Sequence, residues 1–213
     1  MAQLRMVWKD KEPAPVKLKE GCYVIDRTTD KFTKEQLADG WIDACIELTG
    51  GTPWTREHFY ESMWDDPKIP EDGIFFAVTP EGRIFSTATV QLEPGHIGNL
   101  HMVGSSSDIR GLGGGRAVCT AVVEYFKKHE IKLAYLNTDD FRKPAIKIYL
   151  GLGYRPYLYD DDMAERWHAL MDYYGIDELE AYDKDLNDLT MYSKTFPTDN
   201  IHESAVSDSG NSL

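Results

Sequence analysis

Cysteine is scarce in this chain, and long apolar runs are missing altogether. Cys22, Cys45 and Cys119 are an odd number of thiols at wide spacing with no C-x-x-C pair, a pattern that supports neither a disulfide framework nor a thiolate metal site. The six histidines fall in no H-x-x-x-H or H-E-x-x-H arrangement, so no metal is expected. The opening stretch MAQLRMVWKDKEPAPVKLKEG is charged every few positions, where a signal peptide needs an apolar centre, and no later segment is long enough for a membrane span. A cytoplasmic address away from membranes is the expectation. Basic residues are also short, 23 against 36 acidic for a net charge of −13. Phosphate backbones need a basic face, which argues against a nucleic-acid partner.

What is present suits one ordinary domain: 213 residues, 42% hydrophobic and 28% charged, with no internal repeat. The negative charge is local. Asp160 to Asp188 holds eleven acidic residues against two basic ones, whereas the chain up to Tyr159 is nearly balanced. The pattern predicts a strand in LRMVWK, a Pro- and Lys-bearing connector to about Glu20, and a strand in CYVIDRT. TKEQLADGWIDACIEL follows as a helix, with Thr33 and Gln36 at capping-box spacing. TREHFYESMW reads as a shorter helix capped by Thr55. Three apolar or β-branched runs, broken by PEG and PGH between Gly73 and Ser105, read as an antiparallel meander. Then come a glycine-rich turn with its helix, a strand in IKLAYLNT, and a helix near Pro144, placed at the first helical position, with Gly153 as its stop. RPYLYD reads as a strand. The acidic stretch contains a helix in DDMAERWHALMDYYG, and a last strand is expected in DLTMYSKTF. From Pro197 onward the composition predicts a disordered tail. The domain proper is therefore 21–196, with 160–188 as an acidic elaboration and 1–20 as a strand and connector.

The glycine-rich turn, IRGLGGGRA over Ile109–Ala117, carries the chemistry. Strand, glycine turn and helix together aim unpaired amides and the positive end of a helix dipole outward, which makes an anion cradle. Glycine leaves room for phosphate to approach and permits positive φ. A P-loop needs G-K-[ST] where Gly115 is followed by Arg116-Ala117, and the dinucleotide fingerprint needs glycine at Arg116 or Val118; both readings fail. A turn serving only to pack strand on helix stays open on the residues alone.

Arg110, Gly113 and Gly115 satisfy R-x-x-G-x-G, and LNTDDFRKPAIKIYLGLGYRP places Ala145, Ile146, Tyr149, Gly153 and Tyr154 in a second register. Together they resemble the GNAT superfamily of acetyl-CoA-dependent N-acetyltransferases, over about Cys22 to Asp160. The resemblance implies a GNAT-like α/β fold, a mixed, mainly antiparallel central sheet flanked by helices in a single domain. It implies acetyl-CoA as co-substrate, with acetyl transferred directly to a primary amine in a ternary complex. Gly111, Leu112, Gly113, Gly114, Gly115 and Arg116 would take the pyrophosphate, with Arg110 adding a contact. Val103, Gly104 and Ser105 would pair edge-on with the pantetheine arm, and Pro144 and Ala145 would line the cofactor. Tyr149 holds the general-acid position. For the general base, His101 is the first candidate because imidazole titrates near neutral pH; Glu93, Glu57 and Asp139 are alternatives. Arg142 stands where relatives commonly have Asn, and Ser105 and Ser107 depart from the usual apolar residue and proline.

The acceptor is expected to be a small-molecule or peptide amine. Asp160 to Asp162 with Glu165 would steer a cationic one, or else the acidic helix is a solvated face. Trp54, Tyr60, Trp64, Trp167 and Tyr174 are core residues or pocket lining. A homodimer is left open, as are a non-catalytic acyl-CoA-binding module and a structural interaction protein. Cys119, inside a helix, is poorly placed as a nucleophile.

Overall fold

A computed structural model of the chain describes residues 2–186 and 189–193. Nine strands form one sheet in the order β2-β3-β4-β5-β6-β1-β7-β8-β9. The strands are β1 (Leu4–Trp8), β2 (Tyr23–Asp26), β3 (Ile74–Val78), β4 (Ile84–Glu93), β5 (Ile97–Ser105), β6 (Leu133–Thr138), β7 (Arg155–Tyr157), β8 (Glu178–Tyr182) and β9 (Leu189–Ser193). Only β5/β6 and β7/β8 pair in parallel, and every other neighbour is antiparallel. The expected meander is β3–β5.

Helices α1 (Lys34–Cys45) and α2 (Arg56–Phe59), the latter continued by a π-turn over Tyr60–Trp64, cover one face of the sheet; α3 (Gly114–Lys128), α4 (Lys143–Gly151) and α5 (Met163–Tyr174) cover the other. The capping box at Thr33 and Gln36 forms, each side chain bonding the other residue's amide. Such a cap is worth about 1 kcal/mol. Thr55 caps α2 as expected. Pro144 is the second helical residue of α4, one place later than predicted, because Arg142 forms the cap.

Alternation along the strands sorts two cores. Leu4, Met6, Trp8, Ala88, Val90, Leu100 and Leu136 point toward Val118, Val122 and Phe126 of α3, Tyr149 of α4 and Trp167 of α5. On the opposite face Ile74, Phe76 and Val78 pack against Leu37, Trp41, Phe59 and Met63, with Trp54, Tyr60 and Trp64 partly buried around them. Trp167 is fully buried and Tyr174 partly so. The second core stops near β5, so the α1/α2 face of β6, β1 and β7 carries no helix.

Two features were not foreseen. β1 is an interior strand, paired to β6 along Leu4–Trp8 and to β7 on its other edge, so the residues read as a strand and connector share the sheet of the domain. The acidic stretch contributes β8 as well as α5. Among the described residues no helix is long and apolar enough to cross a membrane. The expected tail beyond Pro197 lies outside the described residues.

Candidate active site

The glycine turn forms the N-terminus of α3 as the spacing required. Gly111 and Gly113 sit at φ +80° and +82°, the left-handed region that costs a side-chain-bearing residue about 1 kcal/mol or more. Gly113 is the N-cap. A Cβ there would fall 2.4 Å from the Lys17 carbonyl oxygen, because the connector after β1 runs alongside and Lys19 N–H donates to the Leu112 carbonyl at 3.0 Å. Gly114 is needed for packing: a Cβ would lie 2.2 Å from the Phe85 ring. At Gly111 the same test finds open space. The backbone N–H groups from Gly111 to Arg116 meet no acceptor among the described residues, the first internal bond being Ala117 N–H to the Gly113 carbonyl at 3.0 Å. Unpaired amides, the dipole of a fifteen-residue helix and an open approach at Gly111 fit a diphosphate.

The loop ahead of the cradle is braced. Arg83 bridges Asp43 at 3.1 Å and Asp108 at 2.7 Å, and Ser106 Oγ donates to Asp43 at 2.9 Å. These bonds push the guanidinium pKa up and hold Asp108 below the carboxylate range. Arg110 folds back, donating to the Ser107 carbonyl at 3.0 Å. Arg116 lies against Gly151 at the end of α4. Pro144 is exposed and Ala145 half-buried on the outer part of α4.

Beside the cradle the sheet splits. β5 pairs with β6 only over Ile97–Asn99, while its other edge stays on β4 up to Ser105. The edge of β5 from Leu100 onward, including Val103, Gly104 and Ser105, is therefore open toward β6. Within this edge Met102 has φ +46° and two residues of β5 oppose Ala88 of β4. This β-bulge re-aims the strand at the split.

His101 and Tyr149 flank the split from opposite faces. Tyr149, 6% exposed, belongs to the core on the α3/α4 side. Burial, reinforced by Cys119 and opposed by Arg142, raises its pKa, so the phenol keeps its proton. His101 pairs with Thr89 on the α1/α2 face. Burial pushes its pKa below the ordinary imidazole value against the pull of Asp66 and Glu93, so it is neutral near pH 7. The alternative bases are differently placed: Glu93 is held by Lys68 at 3.0 Å, Asp139 by Arg142 at 3.0 Å, and Glu57 is solvent-exposed in the first turn of α2. Cys119 is fully buried and its thiol pKa is raised, which leaves no thiolate for attack.

Sequence reasoning passed over Thr89, whose Oγ1 is buried beside His101 with no hydrogen-bond partner among the described residues, and the Met102 bulge. The first looks like any strand threonine. A bulge leaves no sequence mark unless glycine occupies it.

A sheet split lies beside an amide cradle, with a neutral imidazole and a protonated phenol on its two sides, an arrangement that can hold an anionic group next to an acid and a base. The chain belongs to the Acetyltransferase (GNAT) family, whose model matches residues 37–154. A mycothiol acetyltransferase of Arthrobacter sp. is 32% identical over 166 residues, covering 72% of this chain and 50% of that protein. An uncharacterised N-acetyltransferase of Bacillus subtilis is 25% identical, covering 62% of this chain and 54% of that one. The chain thus spans about half the length of the curated relatives it matches. The fold is shared with a GCN5-related N-acetyltransferase of Sphaerobacter thermophilus, with a TM-score of 0.54, 20% identity, and coverage of 73% of this chain and 49% of that one.

Proposed function

We propose that this chain is an acetyl-CoA-dependent N-acetyltransferase that moves acetyl directly to a primary amine within a ternary complex. The observation that carries the reading is the run of unpaired amides from Gly111 to Arg116, opening beside the free edge of β5. Acetyl-CoA would supply an activated thioester. Gly111 to Arg116 hold the diphosphate, and the open backbone of Val103–Ser105 binds the amide-bearing arm as an added strand would. An N–H on this edge polarises the thioester carbonyl as negative charge develops on its oxygen. His101, neutral at working pH, takes the proton from the acceptor ammonium, directly or through water. Tyr149 donates a hydrogen bond to the sulfur as negative charge develops on it, and its proton passes to the sulfur as the C–S bond breaks.

The acceptor is a small-molecule or peptide amine. The name borne by the Arthrobacter relative supports acetyl transfer. Asp160, Asp161 and Glu165 can draw the ammonium end inward, whereas Asp162 is neutralised by Arg166 at 3.3 Å. Calorimetry with acetyl-CoA, followed by an amine panel monitored through free thiol release, tests the proposal. Micromolar binding and amine-dependent thiol release are expected; absence of binding overturns it, and binding without release across the panel reduces the protein to an acyl-CoA-binding module.

A further inference from the structure

The interior position of β1 places one side chain where the family motifs give no hint of it. Cross-strand pairing puts Arg5 level with Asn137 of β6 and Tyr157 of β7. On β5, Asn99 is level with Tyr135, so His101, two residues further, shares the row of Asn137 and Arg5. The side chains of Arg5, Asn137, Tyr135 and Tyr157 stand on the part of the α1/α2 face beyond those helices, and His101 stands partly buried at its β5 border. Arg5 and the candidate base are therefore on one side of the sheet, at least two strand spacings apart across the split, or about 10 Å or more.

The Arg5 guanidinium is held from several sides. It lies 4.9 Å from the Tyr135 ring centroid and 5.6 Å from that of Tyr159, and its Nε donates to Asn137 Oδ1 at 3.0 Å. Tyr159 is itself fixed, its hydroxyl donating to the Gln3 carbonyl, and its ring lies 5.5 Å from that of Tyr157. Stacking between rings fixes the plane of a guanidinium while leaving its edge free. No carboxylate among the described residues lies within ion-pairing distance of Arg5, although the chain carries an excess of 13 negative charges. The candidates close by are engaged: Glu93 with Lys68, Asp139 with Arg142 and Gln3, Glu180 with Arg155. Among the described residues the terminal N–H groups of the half-buried Arg5 make no hydrogen bond. Asn137 is exposed, and with its oxygen turned to Arg5 its amide hydrogens extend the donor surface.

We infer that Arg5, with Asn137 and the Tyr135 and Tyr159 rings, is an oxyanion subsite of the acceptor cleft. It selects amines that carry a carboxylate or phosphate at the end remote from the reacting nitrogen. A preorganised planar cation with a free edge is matched to such a group, and neutral donors on the same row complete the recognition. The spacing calls for a molecule at least as long as an extended tripeptide, about 10 Å or more. This inference rests on the transferase reading for the position of the amine, and equilibrium binding separates the two.

Triglycine and triglycinamide, and in a second arm aminohexyl phosphate and aminohexanol, would be titrated into the protein with and without saturating CoA. The anionic member of at least one pair should bind at least about tenfold tighter than its neutral partner, the effect of a charge-assisted hydrogen bond. Preference in the peptide arm assigns a carboxylate; preference in the second arm assigns a phosphate. Arg5→Gln should reduce the preference to less than about twofold with melting temperature and CoA affinity maintained, while Lys31→Gln, the same charge change at the β2 end of the sheet, should retain it. Equal affinity within both pairs, including no measurable affinity for either member, overturns the subsite, as does a preference that survives Arg5→Gln. Failure of the transferase reading would appear separately, as absent CoA binding or absent thiol release.

Discussion

His101 shows how a residue of ambiguous sequence meaning acquires a role from its surroundings. A histidine in a strand is ordinarily core filler; here burial lowers its pKa against the pull of Asp66 and Glu93, and no ion pair holds it among the described residues. For a base whose folded pKa lies below its unfolded value of about 6.5, the unfolded chain takes up the proton first, so stability falls as pH drops through that window. Unfolding followed by denaturant should show this loss as pH falls below about 6.5, reduced in His101→Gln. The acid limb of kcat/KM, corrected for ionisation of the acceptor amine, should lie below pH 6.5 and vanish in the same variant. Tyr149 is the opposite case, a phenol that burial keeps protonated. Tyr149→Phe should lower kcat by about 10²-fold or more, the usual yield of a positioned acid, with acetyl-CoA affinity nearly unchanged. An unchanged kcat would remove the residue from the mechanism.

Among the elements, α3 has the most demanding start. Its glycines were legible as a cluster, yet they differ in physical purpose. Gly113 serves a left-handed turn under the connector, Gly114 lets the helix touch Phe85, and Gly111 keeps the approach clear. Gly114→Ala should therefore destabilise by about 1–3 kcal/mol through overpacking, seen as a drop of several degrees in melting temperature. Gly111→Ala should cost about 1 kcal/mol of backbone strain and weaken acetyl-CoA binding more than it weakens folding. An equal effect of the two substitutions on both readouts would contradict this division. β8 was missed because Glu178 and Glu180 made ELEAY read as part of a solvated acidic run. Its alternation was visible, with Leu179 and Ala181 turned to the core face, but strands this short are not separable from charged loops without a partner to pair with.

At the scale of the whole molecule, β1 decides the architecture. Leu4, Met6 and Trp8 are fully buried between β6 and β7. Deleting residues 2–8 would leave two new sheet edges and a slot in the core, so the shortened chain should lose cooperative thermal unfolding and expose apolar surface to dye. A truncated chain that melts as sharply as the intact one would show that the two halves of the sheet do not depend on this strand.

Local physics was readable from residue order. The capping box at Thr33, the alternation of β3–β5, the glycine turn and the Tyr149 register each depend on neighbours within a few positions, and the sequence by itself determined those elements and the family they belong to. Only the tertiary structure decided that β5 parts from β6 after Asn99, that Met102 bulges there, and that β1 enters between β6 and β7 to set Arg5 beside the split. Those outcomes depend on pairing between separate segments, from Thr89 with His101 and Asn99 with Tyr135 to Leu4 with Thr138, more than a hundred residues apart, and periodicity along one segment carries no signal for its partner.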